Sequence, residues 1–384
     1  MIVLKGITWD HERGYSPLVY TSRAFSKLHP DIRIDWKKRT LKEYGDYPVE
    51  KLAQTYDLLL VDHPFMGEAA KQNILLDLEQ YMDAEALAIR AQQELGASYR
   101  CYRYGDKQLA LSVDTAMVTA AYRSDLLSQF NMAPPKTFAE MCSFAKALPK
   151  GKKIASPLCP TDIWCTFLSL GAALAGADFI TEERIHHEAA SEALEKINTL
   201  RQLVDPRSLN WNPIQVQDNM TADDKIVYAP YVFQYINYAW QDQPHPLRYC
   251  ASPLWPEART SGVLGGVGIA VSAASCHIQE ALEYVKYVTD PTVQSGEYLF
   301  SGGQPGQKAA WLSAENNCMT GGFFSDTLDA LEHAYLRPRF PGWNGFQEKA
   351  GDLLHDAFGK ALPVTEIADE LTQLFRREFH TKQK

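Results

Sequence analysis

At 384 residues the chain is too long for one ordinary core and suits two lobes of moderate size. A formal net charge of −9 excludes a typical nucleic-acid binder, since phosphate binding is driven by a basic surface, and no nucleic-acid partner is expected. No stretch approaches the roughly 20 apolar residues that span a bilayer, so no membrane insertion is expected either.

Met1 leads directly into Ile2-Val3-Leu4-Lys5-Gly6-Ile7-Thr8-Trp9, which is too short for the apolar centre of a signal peptide and lacks a basic leader. The run reads instead as a first buried strand. With Met1 as the native start the protein is expected in the cytoplasm; with a leader removed it belongs to the periplasm or another extracytoplasmic space. Residues 15–28 follow as a helix, with Leu18, Phe25 and Leu28 at helical spacing, stopped by His29-Pro30. Ile32-Arg33-Ile34-Asp35-Trp36 alternates as a second strand. After a loop, Tyr56-Asp57-Leu58-Leu59-Leu60-Val61 has the continuous apolar character of a strand covered on both faces. Strands separated by helices imply parallel βαβ units, whose ligands bind outside the carboxyl ends of the strands. Two loops sit at such ends: Trp9-Asp10-His11 and Asp62-His63-Pro64-Phe65. If strand one lies between strands two and three, the two Asp-His pairs share one edge.

From Asp114 the pattern changes lobe. Tyr122-Arg123-Ser124-Asp125-Leu126-Leu127 begins a helix, and Thr137 with Glu140 makes a capping box. Ile154-Ala155-Ser156-Pro157-Leu158 reads as a short strand, and Thr161-Asp162 as the start of an apolar helix through Ala173. Residues 190–203 form an amphipathic helix. Ile226-Val227-Tyr228-Ala229 is a strand, with Tyr231 and Tyr235 beyond it. Residues 262–271 are a glycine-rich crossover into a strand, without the Gly-Lys-Ser/Thr end of a phosphate loop. A Gly-Gly-Gln-Pro-Gly turn at 302–306 and a terminal amphipathic helix near 364–378 complete the pattern. Seven scattered cysteines include no Cys-x-x-Cys, read as buried free thiols, and by their odd number favour a reducing compartment. No metal site and no cofactor are expected.

Three stretches carry a resemblance: residues 105–140, with Leu109-Ala110-Leu111-Ser112-Val113-Asp114 and Pro134-Pro135-Lys136-Thr137-Phe138-Ala139-Glu140; residues 265–306, with Gly265-Gly266-Val267-Gly268 and Gly303-Gln304-Pro305-Gly306; and Arg337-Pro338-Arg339-Phe340-Pro341-Gly342. In order and spacing they resemble the family 1 extracellular solute-binding proteins of sugar-type ABC transporters. The resemblance implies an α/β fold of the type II periplasmic-binding-protein class, two-lobed, with a hinge of crossing strands. Mapped here it gives 1–111 plus 264–320 as lobe one, 115–259 as lobe two, and 321–384 as C-terminal helices packing on the lobes. The hinge crossings then fall at Ser112-Val113-Asp114 and 262–266. It also implies a small-molecule ligand, sugar-like or another small organic solute, and an ABC transporter permease as partner.

The ligand-binding candidates are Trp9, Asp10, His11, Asp62, His63, Asp114, Thr161, Asp162, Trp164, Tyr231, Gly265 and Gly266. Trp9 either stacks on a ligand ring or packs in the core, and Trp164 divides the same way. Asp10 and Asp62 accept hydrogen bonds from ligand hydroxyls or cap the next helix. Thr161 and Asp162 offer a helix start to an anionic group or simply cap it. Tyr231 is expected to face the ligand, and Gly265 and Gly266 to allow backbone approach or a hinge. Arg13 is suited to holding a carboxylate; Arg337 and Arg339 pin the C-terminal segment. The rival reading is an intracellular enzyme or ligand sensor on the same fold, with His11, His63, Asp10 and Asp62 as acid and base. No Gly-x-Ser-x-Gly or His-Glu-x-x-His supports a specific chemistry.

Overall fold

The computed structural model describes residues 1–40 and 49–380; part of the loop expected before Tyr56, at 41–48, and the last residues of the C-terminal segment, 381–384, lie outside them. Strands used below are β1 (Ile2–Trp9), β2 (Ile32–Arg39), β3 (Leu58–Val61), β4 (Leu111–Tyr122), β5 (Lys153–Ile154), β6 (Ile226–Phe233), β7 (Arg248–Cys250) and β8 (Leu264–Val271). The helices are α1 (Glu12–Leu28), α2 (Pro160–Ala175), α3 (His187–Leu203), α4 (Trp343–Gly359) and α5 (Val364–Phe379). The chain divides into two units. Unit 1 holds Met1–Ala116, Gly265–Asn317 and Arg339–Asn344; unit 2 holds Met117–Leu264, Cys318–Pro338 and Gly345–Lys384. β4 leaves unit 1 after Ala116, and β8 enters it at Gly265.

In unit 1 the strands lie in the order β2-β1-β3-β8, followed by the opening part of β4. β1 is parallel to β2, with Ile2 opposite Ile32 and Trp9 opposite Arg39, and parallel to β3, with Gly6 opposite Leu58. β8 runs antiparallel to β3. All of β3 is buried, as its unbroken apolar run requires. α1 lays Leu18, Thr21, Ser22 and Phe25 into the core, where Ser22 Oγ accepts from the Trp36 indole at 2.8 Å. Leu28 does not follow them: it is 67 % exposed, because it ends the helix and the His29 ring stacks on Phe25 in its stead, centroids 4.3 Å apart. Arg339 donates to the carbonyls of Arg100 and Cys101, at 3.0 and 2.8 Å, and so ties residues 339–344 into this unit.

In unit 2, β4 pairs antiparallel with β6 and β7, and β5 lies parallel to β6. Four readings from sequence shift here. β4 runs on to Tyr122, so the next helix begins at Ser124, with buried Arg123 gripping Asp125 and Asp224. The strand at Ile154 ends there: the Ala155 amide still reaches the Tyr228 carbonyl, but the Ser156 amide turns to Ser208 Oγ at 3.3 Å and Pro157 has no N–H to resume the ladder. β6 continues through Pro230 to Phe233, which puts Tyr231 inside the strand. The cysteines are not all buried: Cys101 and Cys165 are, whereas Cys276 and Cys318 are exposed. The Thr137–Glu140 capping box is formed as expected. α2 is buried along nearly its whole length, and Phe346 of α4 meets Phe375 of α5 edge-on at 5.3 Å. Among the described residues no helix is long and apolar enough to cross a membrane.

Candidate functional site

The parallel order β2-β1-β3 sets the turns after β1 and β3 on neighbouring strand ends of unit 1. Asp10 and His11 make the first turn. The Asp10 amide donates to the Arg39 carbonyl at 2.6 Å, continuing the β1–β2 register by one step. Its carboxylate, 55 % exposed, accepts from Lys38 Nζ at 2.6 Å, and that ammonium lies 5.0 Å from the centre of the Tyr15 ring. His11 caps α1: its Nδ1 accepts from the Arg13 amide at 3.0 Å. The proton of the neutral ring therefore sits on Nε2. Burial, then the neighbouring Arg13 charge, push the His11 pKa down to about 4, against the opposing pull of Asp10.

Trp9 is buried in the core cluster of unit 1. Its indole lies flat over Gly14, where a Cβ would fall 2.4 Å from the ring, so only glycine lets the helix start this close to the strand end. At the second turn, half-buried Asp62 accepts from the His63 amide at 2.8 Å and caps a short 3-10 turn. The His63 ring is wholly buried, with Tyr102 edge-on at 6.4 Å.

Asp114 stands on β4 shortly before that strand leaves unit 1. Arg13 takes both of its oxygens: Nε donates to Oδ2 at 2.7 Å, and Nη2 donates to Oδ1. Both side chains are buried. Burial pushes the Asp114 carboxyl up, while Arg13 pulls it down. The carboxylate that Arg13 was expected to hold is thus one of the protein's own. Gly265 and Gly266 open β8, and Gly266 has φ +104°, with the position of a Cβ only 2.4 Å from the Asp114 carbonyl oxygen.

In unit 2, Thr161, Asp162 and Trp164 sit in the first turns of α2, whose cap position is Cys159 and whose first residue is Pro160. Thr161 is exposed. Asp162 is buried, accepts from the Cys159 thiol at 2.9 Å, and is pushed up to about 7 by burial. Trp164 is 1 % exposed, stacked on Phe167 at 5.1 Å with Phe346 edge-on at 5.7 Å. Tyr231 is equally enclosed and donates its hydroxyl to the Pro253 carbonyl at 2.5 Å. Trp164 is thus packed among aromatic rings of unit 2, and Tyr231 is both packed and hydrogen-bonded there.

Residues 24–315, well over half of the chain, match the family described as bacterial extracellular solute-binding protein. The chain belongs to that family. A probable ABC transporter-binding protein of Deinococcus radiodurans is 23 % identical over 256 residues, covering 61 % of this chain and 59 % of that protein, so the chain spans about three fifths of its relative's length. Maltose-bound MalE3 of T. maritima superposes with a TM-score of 0.86 at 16 % identity, over 98 % of this chain and 100 % of that one. A solute-binding protein of Thermotoga lettingae bound with α-D-tagatose gives 0.83 at 15 % identity, over 99 % and 100 %. The fold is the two-lobed α/β fold of these solute-binding proteins.

For a solute-binding protein, the informative residue that sequence reading passed over is Lys38. It stood in the run Lys37-Lys38-Arg39, which reads as solvated surface. The parallel register that sets Lys38 opposite Thr8 brings its ammonium to Asp10. His11 in turn loses its standing as a base. With Nδ1 committed to the helix start and a pKa near 4, it is poorly matched to proton abstraction at neutral pH. The shift has a consequence for stability. Between pH 6.5 and about 4 the unfolded chain protonates His11 and the folded chain does not, so the residue's contribution is whole above 6.5 and fades as pH falls. His11→Asn, which caps without titrating, should gain on the wild type by about 1–3 kcal/mol between pH 7 and pH 4 in urea unfolding. A constant difference across that range would show that His11 titrates alike in both states.

Proposed function

We propose that the protein reversibly binds one small polar solute, sugar-like in its chemistry, returns it unchanged, and hands it to an ABC transporter permease on the outer side of the cell membrane. Family membership carries this reading. The relatives' cargo, maltose for MalE3 and α-D-tagatose for the T. lettingae protein, sets the class of solute to try first. The unit 1 edge supports it as well: Asp10 and Lys38 are exposed, oppositely charged and adjacent, which suits hydroxyls that donate to one group and accept from the other. The turn at Asp62 and His63 contributes the neighbouring strand end. An enzymatic role gains nothing from these residues, since His11 is occupied as a cap and His63 is enclosed.

Titration calorimetry against maltose, D-tagatose and other mono- and disaccharides tests the reading, followed by mass analysis of the recovered solute. Binding near the micromolar level, about −8 kcal/mol, is expected for at least one of them. Asp10→Ala should weaken it by about tenfold, as loss of a charged hydrogen-bond acceptor does. Recovery of a chemically altered sugar, or no binding across the panel, would overturn it.

A further inference from the structure

Asp114 was expected to touch the ligand, yet its surroundings suit a different task. Arg13 approaches it side-on through Nε and Nη2, the two-bond geometry that fixes direction as well as distance. A buried ion pair adds little net stability over a well-packed apolar pair, so the gain from this arrangement is chiefly one of geometry. Both ends of the pair sit at informative places. The Arg13 amide holds His11 Nδ1, so the guanidinium is anchored to the same turn that carries Asp10. Asp114 lies in a stretch of β4 that is held on its other sides. Gln304 Nε2 donates to the Thr115 carbonyl at 2.7 Å, Gln307 Nε2 donates to the Ser112 carbonyl at 3.3 Å, and Gly266 packs on the Asp114 carbonyl. Residues 112–115 are thereby fixed within unit 1 just before the chain departs at Met117.

We propose that Arg13 and Asp114 are a positioning pair that locks the Asp10–His11 turn to the departing end of β4, so that the solute-binding edge and the strand crossing move as one body. The proposal rests on the reading of that turn as the binding edge. It also moves the flexible point of the crossing past Thr115, rather than at Ser112-Val113-Asp114 as the sequence suggested.

Native-state hydrogen exchange on the full chain tests it without a ligand. Two variants are compared with wild type: Arg13→Lys, which keeps the charge but loses the side-on fork, and the double variant Arg13→Met with Asp114→Leu, which keeps the site apolar and filled. In both, the amides of residues 10–15 and those of 112–116 should exchange at least about tenfold faster, with α3 in unit 2 unchanged as an internal control. Wild-type rates at 10–15 in either folded variant would overturn the proposal, as would loosening confined to 112–116. Calorimetry with maltose, D-tagatose and the rest of the panel forms a separate arm. Failure of the wild type to bind any of them counts against the functional reading and leaves the exchange result to decide the role of the pair.

Discussion

Trp164→Ala should lower the unfolding free energy by about 3–5 kcal/mol, the range for deleting a fully buried tryptophan. The cause is the cavity left between Phe167 and Phe346, two rings held in place by their own helices α2 and α4 and unable to close on it. Affinity for the solute, measured on the fraction that remains folded, should stay within about twofold of wild type, because a residue this enclosed offers no face to a ligand. Urea unfolding and calorimetry on the same preparation separate the possibilities. A small loss of stability with a large loss of affinity would mean that Trp164 faces the solute after all.

Gly266→Ala is expected to cost about 2–4 kcal/mol. A φ of +104° is strained for any residue with a Cβ, and the added methyl would fall 2.4 Å from a backbone oxygen, not against a side chain that can swing away. Gly265→Ala, one residue earlier and without that conformation, serves as the control and should cost less. Equal effects at the two positions in urea unfolding would show that the strained backbone of Gly266 relaxes freely.

Much of unit 1 was legible because its signals are local. The alternation at Ile32 to Trp36, the apolar run at 58–61 and the stop at His29-Pro30 each dictate one element, and parallel connections then restrict the strand order. What could not be read depends on partners distant in sequence. The apolar run at 226–229 sets Tyr231 beyond the strand, although the strand runs on to Phe233. In the fold Ala229 pairs with Ala121 and Val232 with Thr119, so Pro230 sits in a bulge where no N–H is needed. Lys38 looked like solvated surface until the register gave it Asp10. Asp114 and Arg13, about a hundred residues apart, were each marked as polar residues of interest, but nothing in their spacing says that they spend their charges on each other. The aromatic candidates fared similarly. Periodicity reports that Trp9 and Trp164 lie on apolar faces, and only the packing of Gly14 and Phe346 says what those faces meet.

As a solute-binding protein, this chain should become more compact when it takes up its solute. Small-angle scattering of the full-length protein, with and without a saturating amount of the sugar that calorimetry identifies, tests it most directly. A smaller radius of gyration in the presence of that sugar, reversed on its removal by dialysis, is the expected result. An unchanged profile at full occupancy would contradict it.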